Sequence, residues 1–171
     1  MNQQPATSGS NEPLRGFKFS LFDGGIRVPA ILSWPGRIPA KQVIGEPGAS
    51  MDILPTFLTA AGIPVPQDRT IDGRDVMPML RSKAKSPHDA LFWSSGGQLA
   101  VRRGKWKLVI DGITGERTEG KNGRLQGGDT TFLSDLEKDP GERANLSSRE
   151  TALAAELASQ ARRWLEEVKR N

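Results

Sequence analysis

The sequence predicts an α+β chain, and two stretches carry that prediction from the residues alone. Gln98 to Arg102 and Lys105 to Ile110 flank Arg103-Gly104, where glycine supplies the positive φ of a tight hairpin turn. Near the end of the chain Leu153, Leu157, Ala161, Trp164, Leu165 and Val168 recur every three or four residues. That spacing lays one apolar stripe along a helix, suited to packing across a sheet. In the second hairpin strand Trp106, Leu108 and Ile110 share one face, while Lys105, Lys107 and Val109 share the other. This is the alternation of a half-buried antiparallel sheet, and it places Lys107 on solvated surface.

The remaining elements follow in order. Residues 1–13 are polar and read as a disordered lead. Phe17 to Trp34 reads as extended chain, with Val28, Ala30, Ile31 and Leu32 apolar enough for a buried strand. Asp23-Gly24-Gly25 interrupts it with the freedom to take positive φ and turn sharply. Lys18 is thereby held near a tight turn, in an apolar setting of Phe17, Phe19, Leu21 and Phe22. A lysine so placed suits an anion, its ammonium being a compact charge with three donors. The alternative is that Arg15 and Lys18 merely extend their heads to solvent from a half-buried segment.

Arg37 to Ser50 is a Pro/Gly-rich loop, after which Asp52 is placed to cap a short core helix through Ile53, Leu54, Phe57, Leu58 and Ala61. Gly62 ends that helix. Asp52 as a metal ligand is disfavoured because no second carboxylate lies beside it. A second short helix is expected over Asp75 to Leu80, and a linker at Lys83 to Pro87. His88 reads as a surface or capping residue, although its near-neutral titration keeps it eligible as an acid or base. Asp89 to Ser94 and Thr130 to Leu136 are further strands. Between them Asp111 to Asp129 holds six glycines and reads as a mobile loop. Ser147 with Glu150 forms a capping-box pattern ahead of the terminal helix.

Composition excludes several classes. The 171 residues are 36% hydrophobic and 26% charged, as expected of a globular protein able to bury a core. There is no cysteine, hence no disulfide, thiolate metal site or cysteine nucleophile in these residues. A net charge of +4 is spread along the chain without a dense basic run interleaved with aromatics, which argues against a nucleic-acid surface. No run of ~20 apolar residues could span a membrane.

Several motifs bear a family resemblance. Leu14-Arg15-Gly16-Phe17-Lys18, then Phe22-Asp23-Gly24-Gly25-Ile26-Arg27-Val28-Pro29 and Trp34-Pro35-Gly36, resemble the type I sulfatase segment written L-R-G-x-K, E-G-G-x-R-V-P, W-P-G. Met51-Asp52-Ile53-Leu54-Pro55-Thr56, Ala61-Gly62, Ile71-Asp72-Gly73, Val101 to Leu108 and Asp135 to Glu142 fall in the order that family shows. Asp23 stands where the family more often has Glu, which keeps the charge and shortens the reach. The resemblance is to the C-terminal third of an enzyme of the alkaline-phosphatase-like superfamily. The family's formylglycine motif, C/S-x-P-S-R, does not occur in these residues, and neither do its calcium ligands or upstream catalytic histidines. Calcium and formylglycine are thus expected of an intact member and not of this stretch.

The resemblance implies that residues 14–82 form the tail of the large sulfatase domain and residues 83–171 its small C-terminal subdomain, about four antiparallel strands crossed by the terminal helix. It assigns Lys18 as the lysine that contacts the sulfate ester. The expected function is the C-terminal portion of a sulfuric ester hydrolase, inactive alone for want of a nucleophile and metal ligands. Ser20 or His88 would be the substitute nucleophile were it active. Two alternatives stand open: a fragment of a related phosphonate or phosphate monoester hydrolase, or a non-catalytic module that binds anions or a partner. The expected partners are a sulfated small molecule or glycan, met by Lys18 or by the cationic side chains of Arg102, Arg103, Lys105 and Lys107, and either a second copy or the missing N-terminal part. Apolar surface at Val28 to Leu32 and Ile53 to Leu58 would otherwise lie open.

Overall fold

Alternating apolar residues on both sides of the hairpin decide the architecture, because each side finds its own cover. In the computed structural model, which describes residues 10–114, 123–125 and 130–170, the elements are helix α1 (Asp23–Ile26), a 3-10 turn (Ser50–Asp52), α2 (Ile53–Ala60) and α3 (Met77–Ser82). Strands β1 (Leu91–Ser95), β2 (Gln98–Arg103), β3 (Trp106–Ile110) and β4 (Thr131–Asp135) and helix α4 (Thr151–Arg170) follow. The strands form one antiparallel sheet in the order β1-β2-β3-β4. Arg103 pairs with Trp106, so the hairpin turn is Gly104-Lys105, with Gly104 at φ 57. The α+β expectation holds, with a four-stranded antiparallel sheet and a C-terminal helix.

The chain divides into two units, Met1–Val28 with Ala90–Asn171, and Pro29–Asp89. Residues 14–28 belong to the sheet unit. In the sheet unit, Leu99, Val101, Leu108, Ile110 and Leu133 pack against Ala154, Leu157, Ala158 and Ala161 of α4. Trp164 is only half-buried, stacked on Phe92 at 5.2 Å. The opposite sheet face is not solvated: Ala100, Val109 and Phe132 are covered by Leu21, Phe22 and Leu125. Phe22 meets Phe132 edge-on at 5.4 Å, a favoured aromatic geometry. Helix α4 begins one turn later than the Ser147–Glu150 box implied, Leu146 O accepting from the Arg149 and Glu150 amides in a preceding turn.

In the second unit, Val76, Met77, Met79 and Leu80 form a small core with Trp34, Ile38, Ile44 and Ala60. Helix α2 ends as expected: the Gly62 amide bonds to Thr59 O and the Ile63 amide to Leu58 O, the paired bonds of a Schellman cap. Its orientation is not the expected one. Pro55 and Thr56 are its buried residues, whereas Ile53, Leu54 and Phe57 face outward. The strand expected around Val28 to Leu32 is irregular and exposed, Ile31 at 95%. Of the expected disordered lead and mobile loop, residues 1–9, 115–122 and 126–129 lie outside the described residues; the stem of the loop is paired through an isolated bridge between Ile113 and Arg124.

Candidate functional site

The segment bearing Lys18 is built as a turn on a buried plinth. The Ser20 amide donates to Phe17 O at 2.8 Å, closing a β-turn with Lys18 and Phe19 at its corners. Phe19 has φ 81, the left-handed value that the third residue of a type II turn requires and that a non-glycine residue adopts under constraint. The constraint is Gln98, buried at the start of β2: its Nε2 donates to Phe19 O at 2.7 Å and its Oε1 accepts from the Leu21 and Ile113 amides. Lys18 itself is exposed, its Nζ 5.1 Å from the Phe19 ring centroid. The ammonium therefore stands at the apex of a turn whose return leg runs into the core.

The chain after the turn makes the closest backbone approaches in the unit. The Gly24 amide donates to Arg15 O at 2.6 Å. A Cβ on Gly24 would lie 2.4 Å from Gly16 O, and one on Gly25 would lie 2.2 Å from Ser20 O. The glycine pair is needed for space, not for the positive φ that the sequence suggested; both residues lie within α1, and neither has positive φ.

Beneath the turn lies a cluster that the sequence reading placed wrongly. Lys107, expected on solvated surface, is 0% exposed. Its Nζ lies 2.6 Å from Asp23 Oδ1 and 3.1 Å from Glu142 Oε1. Glu142, also 0% exposed, accepts the Asp23 amide on Oε2. Arg27 reaches the other Asp23 oxygen at 3.7 Å. Burial pushes the Glu142 carboxyl above the usual carboxylate range, and the Lys107 ammonium pulls it partly back. Arg15 is likewise not directed to solvent. Its guanidinium lies 4.7 Å from the centroids of both Phe22 and Phe132, and its Nη1 donates to Glu142 O at 3.2 Å. The cationic side chains of the hairpin are dispersed accordingly: Arg103 pairs with Glu156 at 2.6 Å and Lys105 with Asp135 at 3.0 Å.

The two candidate nucleophiles do not join Lys18. Ser20 is buried, its Oγ accepting the Phe22 amide. His88 belongs to the other unit, where its Nε2 lies 2.7 Å from Asp52 Oδ1. It is a partly buried histidine whose side chain is held in a pair with Asp52, where the expectation was a surface or capping residue. Asp52 is saturated, its Oδ2 accepting the Ala49 amide and its Oδ1 the Arg74 amide. It caps the 3-10 turn rather than α2. Among the described residues no group of three or more His, Asp or Glu could hold a metal. Among the described residues the buried carboxylates are taken up by Lys107, Lys105, His88 and backbone amides, so calcium does not fit the described residues. Beside Trp34 an open hollow of about 370 Å³ has Arg37 and Arg81 on its rim.

Comparison with known proteins adds a consistent set of similarities. Residues 17–96 match the family described as N-sulphoglucosamine sulphohydrolase, C-terminal. Steryl-sulfatase of Homo sapiens is 53% identical over 85 residues, which make up 49% of this chain and 15% of that protein. Arylsulfatase A of Bos taurus is 37% identical over 174 residues, covering 94% of this chain and 34% of the relative. The crystal structure of Ps i-CgsB superposes with a TM-score of 0.72 at 25% identity, over 91% of this chain and 32% of that one. The chain spans about a third or less of the length of these proteins.

Proposed function

We propose that this chain, which belongs to the type I sulfatase family and matches the C-terminal part of its members, contributes Lys18 as the sulfate-contacting cation of a sulfuric ester hydrolase and does not hydrolyse sulfate esters by itself. The observation that supports the lysine's role is its setting: an exposed ammonium at the apex of a turn held by the buried Gln98. Cleavage of a sulfate ester spreads negative charge over the sulfonyl and leaving oxygens, and a cation already fixed in place stabilises that charge without reorganising. One such group is worth on the order of 10²–10³ in rate, against enzymic accelerations that start near 10⁶. A nucleophile and a proton donor must come from elsewhere, since Ser20 is buried and His88 is held by Asp52.

Incubating the purified chain with a chromogenic aryl sulfate and calcium tests the second half, and no turnover above a Lys18→Ala control is expected. Turnover that disappears in the Lys18 variant overturns it. Titration with inorganic sulfate, read by amide chemical shifts, tests the first half: movement of residues 17–20 is expected in the wild type and not in Lys18→Ala.

A second property is favoured by the outward face of α2. Ile53, Leu54 and Phe57, with Ile31 and Leu32 in the same unit, present apolar side chains to solvent. The relatives are about three times as long, and the additional N-terminal part of a sulfatase chain is the proposed cover. Light scattering of the chain alone should show concentration-dependent self-association that Phe57→Lys suppresses; a clean monomer at high concentration contradicts the proposal.

A further inference from the structure

We infer that Glu142 is a positioning residue for Lys18, clamping both ends of the lysine's loop onto the sheet. This deepens the reading of Lys18 as the anion contact and rests on it. The Lys18 turn is entered through Arg15 and left through Asp23, and both converge on the same distant residue. Arg15 Nη1 donates to the Glu142 carbonyl across 127 residues of sequence. The Asp23 amide donates to the Glu142 carboxylate across 119 residues. That carboxylate is in turn fixed by Lys107 of β3, which also holds the Asp23 side chain. One residue thus anchors the loop before and after its exposed lysine.

Two further features are unexplained by packing alone. Glu142 has φ 50, a left-handed conformation that is strained for a non-glycine residue and persists only where the surroundings impose it. Its neighbour Gly141 lies where a Cβ would come within 2.9 Å of Pro13 O, so the 141–142 segment is shaped to let the start of the Lys18 segment approach. The burial of a glutamate, an aspartate and one lysine is also an expensive way to fill space, because an apolar core of the same volume is often as stable or more so. What the charged cluster adds is direction: one carboxylate oxygen lies 3.1 Å from the Lys107 ammonium in an ion pair while the other accepts the Asp23 amide. An amide at that position offers one acceptor and must give up one of the two contacts.

Glu142→Gln in the full chain tests this, read by amide hydrogen exchange. The Ser20 and Gly24 amides, bonded to Phe17 O and Arg15 O, report the loop, and Leu108 and Val101, paired across β2 and β3, report the sheet. Exchange at Ser20 and Gly24 is expected to accelerate at least tenfold more than at Leu108 and Val101. In parallel, the wild-type shifts at residues 17–20 on adding inorganic sulfate should weaken in the variant. Equal acceleration at all four amides, or none at the loop, overturns the clamp. Loop acceleration with no response to sulfate in the wild type leaves the clamp standing and removes the anion-contact reading of Lys18. Should Glu142→Gln fail to fold, the doubly neutral Lys107→Met/Glu142→Gln variant is read by the same amides, and retained loop protection there overturns the proposal.

Discussion

Replacing Lys107 with methionine isolates the charge at the centre of the sheet unit. Methionine keeps most of the aliphatic stem within the strand and removes the ammonium, leaving Asp23 and Glu142 facing one another. Breaking a buried ion pair by deleting one partner costs about 3–5 kcal/mol, because the surviving charge remains buried without compensation. Two carboxylates share this cation, so the loss is not expected at the low end of the range. With a urea m-value of ~2 kcal/mol/M, a loss of about 4 kcal/mol moves the unfolding midpoint down by ~2 M. A domain at the low end of the typical range of about 5–15 kcal/mol would then keep only about 1 kcal/mol at neutral pH. Tryptophan fluorescence during urea titration is a suitable probe, since Trp93, Trp106 and Trp164 all belong to this unit. The penalty should shrink on acidification, as the Glu142 carboxyl, raised by burial, takes up a proton and loses its charge. A midpoint shift below ~0.25 M at pH 7 refutes the reasoning, since an exposed surface substitution stays within about 0.5 kcal/mol.

Leu157→Ala should cost about 2–5 kcal/mol, and Trp164→Ala less than Leu157→Ala, because Leu157 is fully buried whereas Trp164 is stacked on Phe92 at a half-exposed edge; thermal denaturation orders the two. The Glu142 carboxyl is raised in the folded state, so the stability it contributes is fully present below about pH 4.5 and is lost as pH rises through its folded value. The wild type should therefore lose stability relative to Glu142→Gln between pH 4 and 7 in urea titrations, and a widening advantage of the wild type would contradict the assigned direction. Gly25→Ala should destabilise by about 1–3 kcal/mol, because its Cβ would press on Ser20 O and Phe17 O. Gly45→Ala, with no atom within 4 Å of the added carbon, should stay within ~0.5 kcal/mol in the same melts.

What could be read from the sequence divides along the range of the interactions. The hairpin, the terminal helix and the Gly62 cap rest on neighbours a few residues apart, and each is present where local pattern puts it, give or take the one-turn delay in α4. Lys107 was misplaced because alternation reports which residues share a face, not what covers that face. The cover is Phe22 and its neighbours, and the partner carboxylate of Asp23 lies 84 residues away. The apolar spacing of α2 was likewise legible, but which side it turns inward depends on Thr56, whose Oγ1 accepts the Val76 amide and holds the buried face. Asp23 and Asp135-to-Glu142 were visible as family motifs, while their meeting with one lysine was not encoded in any local signal. A lone lysine in a strand of otherwise apolar residues, matched by unpaired acidic residues in two distant motifs, is the combination that could have prompted it.

The seat of the Lys18 turn has a consequence for the order in which the protein is made. Lys18 is synthesised before the groups that fix its loop, Gln98, Lys107 and Glu142, which emerge much later. At translation rates of about 5–20 residues per second, roughly 6–25 s separate the lysine from its last anchor. During that interval Leu21 and Phe22 have no sheet to rest on, and the nascent segment exposes them to chaperones or to other chains. Closure over such sequence distances is the slow class of folding event. A reading frame that ended before residue 142 would carry the lysine in its sequence and lack the late-arriving foundation on which it stands.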